Sequence, residues 1–390
     1  MNTQLTKSYF LSQPHQPFFL LGIVNAILMM LVFLLSYKGI MTLSIDTLTF
    51  HSYSLIFTLF SNVFNGFLFT TFPRFNQTQV IERSFYTTLF FSNVFGSVFF
   101  LLGSFISVYA VAFGMLVLFI THILSIKKLY EIYKTGMAPD KSDSFWILTA
   151  HSFGVGGHLL FVASLFLPSL LPIAITISFY MYAVFLTFSV GQRMIPFFSH
   201  SFAPKDTRFI KIVFGLFLLR SILSSADIQS ATIVIDLLLG AYMLYEFQRW
   251  QLHPLQSPPI LWVLHLALFW LPTAFFLSAL TTTAALLLDT SFYFITIHLL
   301  ALGFLTTVLI GFGTRVTLGH SGQPPHGDSF ATKIFIFIQL VVVLRVLLSL
   351  NVAFGWNLNF LFDITASAWM VLFLIWGGRY AKTLLFGTKL

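Results

Sequence analysis

The chain has 390 residues, of which 57% are hydrophobic and only 8% are Asp, Glu, Lys or Arg. With a mean hydropathy of +0.91, this composition exceeds what a soluble domain of that length can cover with polar surface, so a soluble globular fold is excluded. A formal net charge of +8 accompanies a complete lack of cysteine, which removes disulfides, iron–sulfur clusters and thiolate chemistry; any transition metal must be held by nitrogen, oxygen or thioether.

Apolar stretches long enough to cross about 30 Å of hydrocarbon at about 1.5 Å per residue are read at 17–38, 52–72, 85–105, 108–127, 145–166, 170–190, 209–226, 231–247, 259–280, 292–314, 330–350 and 357–377. The pattern predicts an all-α polytopic membrane protein of twelve transmembrane helices, forming a single domain over 1–390. Residues 85–126 run almost unbroken and are too many for one crossing, so a break is predicted near Ser104 to Ser107. No cleavable signal peptide is expected, because the first apolar stretch follows a polar, histidine-bearing start and lacks a small-residue cleavage pattern.

Charge placement tests that count. With twelve crossings, the N-terminus, the loops after even-numbered spans and the C-terminal tail share one side. They carry Lys7, Arg74, Arg83, Lys127, Lys128, Lys134, Lys141, Arg193, Lys205, Arg208, Lys211, Arg249, Arg315, Lys333, Arg379, Lys382 and Lys389, while the other side has only Lys38. A bias of this size puts both termini in the cytoplasm, and it accounts for the positive charge without nucleic acid.

Two arginines fall inside spans, where an unpaired guanidinium is costly. Arg220 is followed 16 residues later by Asp236, and Arg345 is followed 18 residues later by Asp363. Both aspartates precede Ala at +5, an aromatic at +6 and Met at +7, so spans 7–8 read as repeated in spans 11–12. Span 6 ends in FLTFSVGQRMIPFF and span 10 in FLTTVLIGFGTRVTLGH, each with Arg at the rim, and span 2 ends in GFLFTTFPRF. A four-helix unit used three times is expected, over 1–140, 141–256 and 257–390. The Arg–Asp sets read either as structural ion pairs between antiparallel helices or as groups near a cofactor propionate or other anion.

Histidines sort by depth. His51 and His298 open spans 2 and 10 at the outer face and start helices that run the same way, so they could converge as ligands or act in structure or proton handling. His298 and Arg315 are 17 residues apart on one helix, about 25 Å. His151 and His158 share a face seven residues apart, in HSFGVGGHLLF; close helix packing and a cofactor at His151 or His158 are the two readings. His320 lies in GHSGQPPHGD, either a tight connection or a turn whose backbone N–H groups meet an anion beside Arg315.

The stretch HLLALGFLTTVLIGFGTRVTLGHSGQPP, from residue 298, resembles the closing signature of the NnrS family. QPFFLLG at 16–22, HSYSLIF with GFLFTTFPRF at 51–75, and GQRMIPFF at 191–198 agree in order. The resemblance implies a haem- and copper-containing protein of the bacterial inner membrane, with haem of b type, linked to nitric oxide metabolism or nitrosative stress, with a quinol or other electron donor as partner. Matching positions are His51, Arg193, His298, Gly303, Arg315, Gly319, His320 and Gly322. The resemblance thus implies His51, His298 and His320 as metal ligands, with Arg193 and Arg315 also at the cofactor, to which the reading of HSFGVGGHLLF adds His151. The family's His-Ala-His-Glu-Met run reads His51-Ser52-Tyr53-Ser54-Leu55 here, and its closing Arg is Gln323, which removes donors from the metal inventory. Competing readings are a transporter for a metal, haem or small anion without a bound redox cofactor, which internal repeats and intramembrane charge would suit, and an assembly factor for a respiratory complex. No nucleotide-binding loop or nucleophilic cysteine marks an enzyme.

Overall fold

The computed structural model describes residues 9–292 and 294–390; Lys7 lies outside them. Among the described residues every regular element is helical, and the chain is a multi-span membrane protein. The long helices are α1 (His15–Tyr37), α2 (Thr47–Phe75), α3 (Arg83–Gly103), α4 (Val108–Thr135), α5 (Ser142–Ser164), α6 (Pro168–Phe198), α7 (Phe209–Ser225), α8 (Gln229–Arg249), α9 (Pro259–Leu288), α10 (Ile295–His320), α11 (Ser329–Phe354) and α12 (Phe360–Phe386). Eleven of these described helices are long and apolar enough to cross a membrane. The exception to the expected twelve is α7, whose 17 residues reach about 25 Å, at the short limit for a crossing.

Several helices outrun the apolar stretches that announce them, and they do so past basic residues. α4 continues beyond Lys127, Lys128 and Lys134, α6 beyond Arg193, α10 beyond Arg315, and α12 beyond Arg379 and Lys382. Hydropathy marks only the hydrocarbon layer, whereas backbone hydrogen bonding continues into the interface, where long cationic side chains can extend to water.

The predicted break in 85–126 falls between α3 and α4. Ser104 Oγ donates back to the Phe100 carbonyl at 2.7 Å, and Ser107 Oγ accepts the Ala110 N–H at 3.3 Å as the N-cap of α4. Glycines then let the two antiparallel helices touch. A Cβ on Gly114 would lie 2.4 Å from Phe100 N, and one on Gly103 would lie 2.7 Å from the Ala110 carbonyl carbon, both backbone atoms that cannot step aside. Gly114→Leu is expected to cost at least about 1–3 kcal/mol, read as a lower unfolding midpoint in detergent. Gly156→Ala serves as the control, because nothing lies within 4 Å of a Cβ there; equal midpoints for the two variants would refute the close-packing account.

Three long helices contain a π-helical stretch: Ser54–Phe60 in α2, Ile177–Val184 in α6 and Leu299–Thr306 in α10. Ser61 N–H and Oγ both reach the Ile56 carbonyl, five residues back, and Thr306 and Thr307 hydroxyls do the same to Ala301 and Leu302. The stretches begin 123 and then 122 residues apart, and Arg193 and Arg315 each lie nine residues past the end of theirs. Interrupted helices of this kind concentrate at functional sites.

The chain divides into two compact units. Unit 1 comprises Met1–Phe179, Val316–Pro325 and Phe373–Leu390; unit 2 comprises Tyr180–Arg315 and His326–Leu372. The core of unit 1 is aromatic, with the Tyr53 ring against Phe57, Phe100 and Phe161, and Phe57 against Phe161. In unit 2, Phe217 meets Phe275 edge-on, and Phe209, Phe247 and Trp250 form a second aromatic group.

Candidate functional site

Unit 1 buries three imidazoles and a phenol together. His151 and His158 lie on one face of α5, as their spacing requires, and α4 inserts His122 beside both. His122 Nε2 is 3.3 Å from His151 Nδ1, and the His122 and His158 ring centroids are 5.8 Å apart. His158 Nε2 is bonded to the Tyr53 hydroxyl at 2.7 Å, and Phe57 stacks on the same imidazole at 4.0 Å. All four polar residues are buried, so ring–ring hydrogen bonds carry the polarity that water cannot reach. Tyr53 occupies the position where the NnrS-like run has its second histidine. Sequence spacing identified the α5 pair but not His122 or Tyr53; the aligned substitution at 53 was the available signal for the latter.

His51, also in unit 1, is half-buried, and its ring stacks on Phe33 of α1 at 4.1 Å and 28°. Asp46 caps the start of α2 by accepting from Thr49 N–H at 2.8 Å, which sets the helix entry just ahead of His51. His320, at the end of α10, lies against His15 at the start of α1, with ring centroids 4.8 Å apart and planes tilted by 42°. His15 was visible in the sequence only as one inner-side histidine among several.

In unit 2, His298 is half-buried and sits immediately before the π-helical stretch of α10. Its Nδ1 lies 3.0 Å from the Phe294 carbonyl and 3.0 Å from Arg345 Nη2. A proton on Nδ1 serves the carbonyl; without it Nδ1 accepts from the guanidinium. Arg345 also donates to Ser349 Oγ at 2.5 Å. Arg345 thus lies beside a histidine 47 positions away in sequence, and Asp363, its expected counterpart, is on α12 in the same unit.

Arg220 and Asp236 form a buried ion pair in unit 2. Arg220 Nε donates to Asp236 Oδ1 at 2.5 Å, Ser278 Oγ donates to Asp236 Oδ2 at 2.6 Å, and the guanidinium lies 4.2 Å over the Tyr180 ring. The pair joins α7 to α8, and Ser278 ties in α9. Arg315 is half-buried over the Phe198 ring at 3.9 Å, a cation–π contact, while Arg193 is half-buried near the end of α6. His265 is held by Ser199 Oγ at 2.6 Å and Ser257 Oγ at 3.2 Å, an arrangement that ties down two loops.

Among the described residues, no group of three or more His, Cys, Asp or Glu side chains is arranged to hold a metal ion. The family described as NnrS protein matches residues 9–386. None of the curated proteins matches the chain.

Proposed function

Because the chain belongs to the NnrS family, we propose that it is an inner-membrane haem protein of nitric oxide metabolism or nitrosative-stress resistance, with His298 as an iron ligand. What supports this reading is the setting of His298, where one half-buried imidazole has a backbone carbonyl and a guanidinium 3.0 Å from its Nδ1. Bonding of Nδ1–H to the Phe294 carbonyl leaves Nε2 as the donor atom for a metal. With Nδ1 protonated, Arg345 Nη2 does not donate to the ring nitrogen, and the guanidinium would supply the positive charge that a propionate side arm needs. Bound there, haem would supply an iron that takes nitric oxide as a ligand and exchanges one electron, with a quinol as the class of donor. The remaining family positions with polar side chains, His51, His320, Arg193 and Arg315, together with His151, would support cofactor binding.

Copper fits these residues poorly. Tyr53 stands in place of an imidazole and engages His158 Nε2, while His122 Nε2 is turned to His151. No step is assigned to that metal.

The architecture belonging to this reading is three four-helix repeats, 1–140, 141–256 and 257–390, each with a π-helical stretch in its second helix. α7 then crosses the membrane as the twelfth span, which puts both termini in the cytoplasm, in accord with the positive-inside bias. Arg345 and Asp363 form the third repeat's counterpart of Arg220 and Asp236.

A second reading, transport of a metal, haem or small anion, is favoured by the three interrupted helices. One preparation separates the two. Full-length protein from haem-replete cells, purified in detergent, should show a Soret band that shifts with nitric oxide, with near-stoichiometric iron and little copper. Monodisperse protein without chromophore or iron, but competent for substrate uptake in proteoliposomes, would replace the haem reading with transport.

A further inference from the structure

At one end of unit 1, where α1 begins and α10 ends, buried polar groups have no hydrogen-bond partner among the described residues. Gln16 is 0% exposed, and its Oε1 accepts from Gln13 N–H at 2.9 Å and lies 3.0 Å from Ser12 Oγ. A backbone N–H can only donate, so this contact settles which end of the amide is oxygen. Gln16 Nε2, with two N–H groups, is then the end with no hydrogen-bond partner.

Two further atoms are in the same condition. His15 is 2% exposed with its Nδ1 unpartnered, and Thr317 is 2% exposed with its Oγ1 unpartnered. Thr317 and His320 are three residues apart on one helical face, and His320 is the residue whose ring lies against His15. A threonine inside a helix ordinarily bonds a carbonyl one turn back, as Thr70 and Thr71 do; Thr317 does not.

One cationic side chain stands at this end. The Arg74 guanidinium, exposed at the end of α2, is close enough to act on both His15 and His320. The N-cap of α1 is Pro14, which offers no side-chain hydrogen bond, so the positive pole of a 23-residue helix also faces this end. An amide donor without an acceptor, a hydroxyl and an imidazole nitrogen that can also donate, a cation and a helix N-terminus together suit an anion with several oxygen acceptors.

We propose that His15, Gln16, Thr317 and His320, with Arg74 at the mouth, bind an oxyanion. Gln16 Nε2–H and Thr317 O–H donate to its oxygens, the imidazoles supply ring N–H donors, and Arg74 supplies the countercharge. The oxyanion is either a small solute such as nitrite, nitrate or phosphate, or the phosphate of a membrane lipid. His320 acts here as an anion donor rather than in the cofactor-supporting role given above, and the test that follows needs no bound haem.

The test uses full-length protein in an uncharged detergent. Unfolding midpoints are followed during titration with nitrite, nitrate and phosphate against chloride at constant ionic strength, and native mass spectra report co-purified phospholipid. Variants are Gln16→Glu, which sets a carboxylate against the anion, and Arg74→Gln, an exposed change that spares the fold. Lys128→Gln, which removes a pair with Glu131 and a contact over the Phe85 ring, is the control. A solute site is established by a saturable rise in midpoint whose apparent Kd increases on the order of tenfold in both site variants and is unchanged in Lys128→Gln. A phospholipid adduct lost in Arg74→Gln, without a response to the solutes, establishes the lipid source instead. Absence of both signals, or equal responses in all variants, overturns the proposal; if Gln16→Glu does not fold, Arg74→Gln alone decides.

Discussion

Arg220→Leu is expected to destabilise the protein by about 3–5 kcal/mol, because it leaves a buried carboxylate without its cation. Asp236 is fully buried and takes hydrogen bonds from Arg220 Nε at 2.5 Å, from Arg220 Nη2 at 3.4 Å and from Ser278 Oγ at 2.6 Å. Removing the guanidinium leaves only the hydroxyl to offset the charge in a low-dielectric interior, and also removes the cation from above Tyr180. The double replacement Arg220→Met with Asp236→Leu should recover most of the loss, since replacing both members of a buried pair by apolar groups is often neutral. Unfolding midpoints of the two proteins in the same detergent measure this. A single variant as stable as the parent would show that the pair is dispensable, and a double variant no better than the single would place the loss in packing rather than charge.

His298→Ala is expected to abolish the Soret band and the bound iron together. The imidazole is the proposed iron ligand, and neither the Phe294 carbonyl nor Arg345, each 3.0 Å from its Nδ1, can take over its role at Nε2. Added free imidazole should restore part of the band, because truncation leaves space for the missing ring without altering its neighbours. Arg345→Gln should keep the band but lower haem retention, as expected of a group that neutralises a propionate. His253→Ala, in a loop between α8 and α9, is the control. An unchanged spectrum and iron content in correctly folded His298→Ala would remove this residue from the ligand set and turn attention to His51.

Hydropathy and cap chemistry made most of the helix order legible. The cut at Ser104–Ser107 follows from length and appears as a serine-capped break. The Arg220–Asp236 contact was accessible too, because 16 residues across a short turn return the chain to nearly the same depth. His151 and His158 on one face required only helical periodicity. These features depend on residues near one another in the chain, or on a hydrocarbon thickness that applies to every span alike.

Other features depend on which helices are neighbours, and hydropathy is nearly silent there because every face of a membrane helix is apolar. His122 reaches His151 from a different helix 29 positions away, and Arg345 reaches His298 across 47. The π-helical stretches leave no local composition signal, since a shift from four- to five-residue hydrogen bonding is decided by how the surrounding helices pack. Gln16 reads as an ordinary polar residue near a terminus until its buried amide is seen with one end bonded and the other bare. By itself, the sequence determined that the chain is a helical membrane protein of the NnrS kind, because hydrophobic length and local motifs are properties of contiguous residues. Only the tertiary structure decided which histidines, arginines and amides face one another, because hydrogen bonds act over about 3 Å and adjacency at that range is set by helix packing.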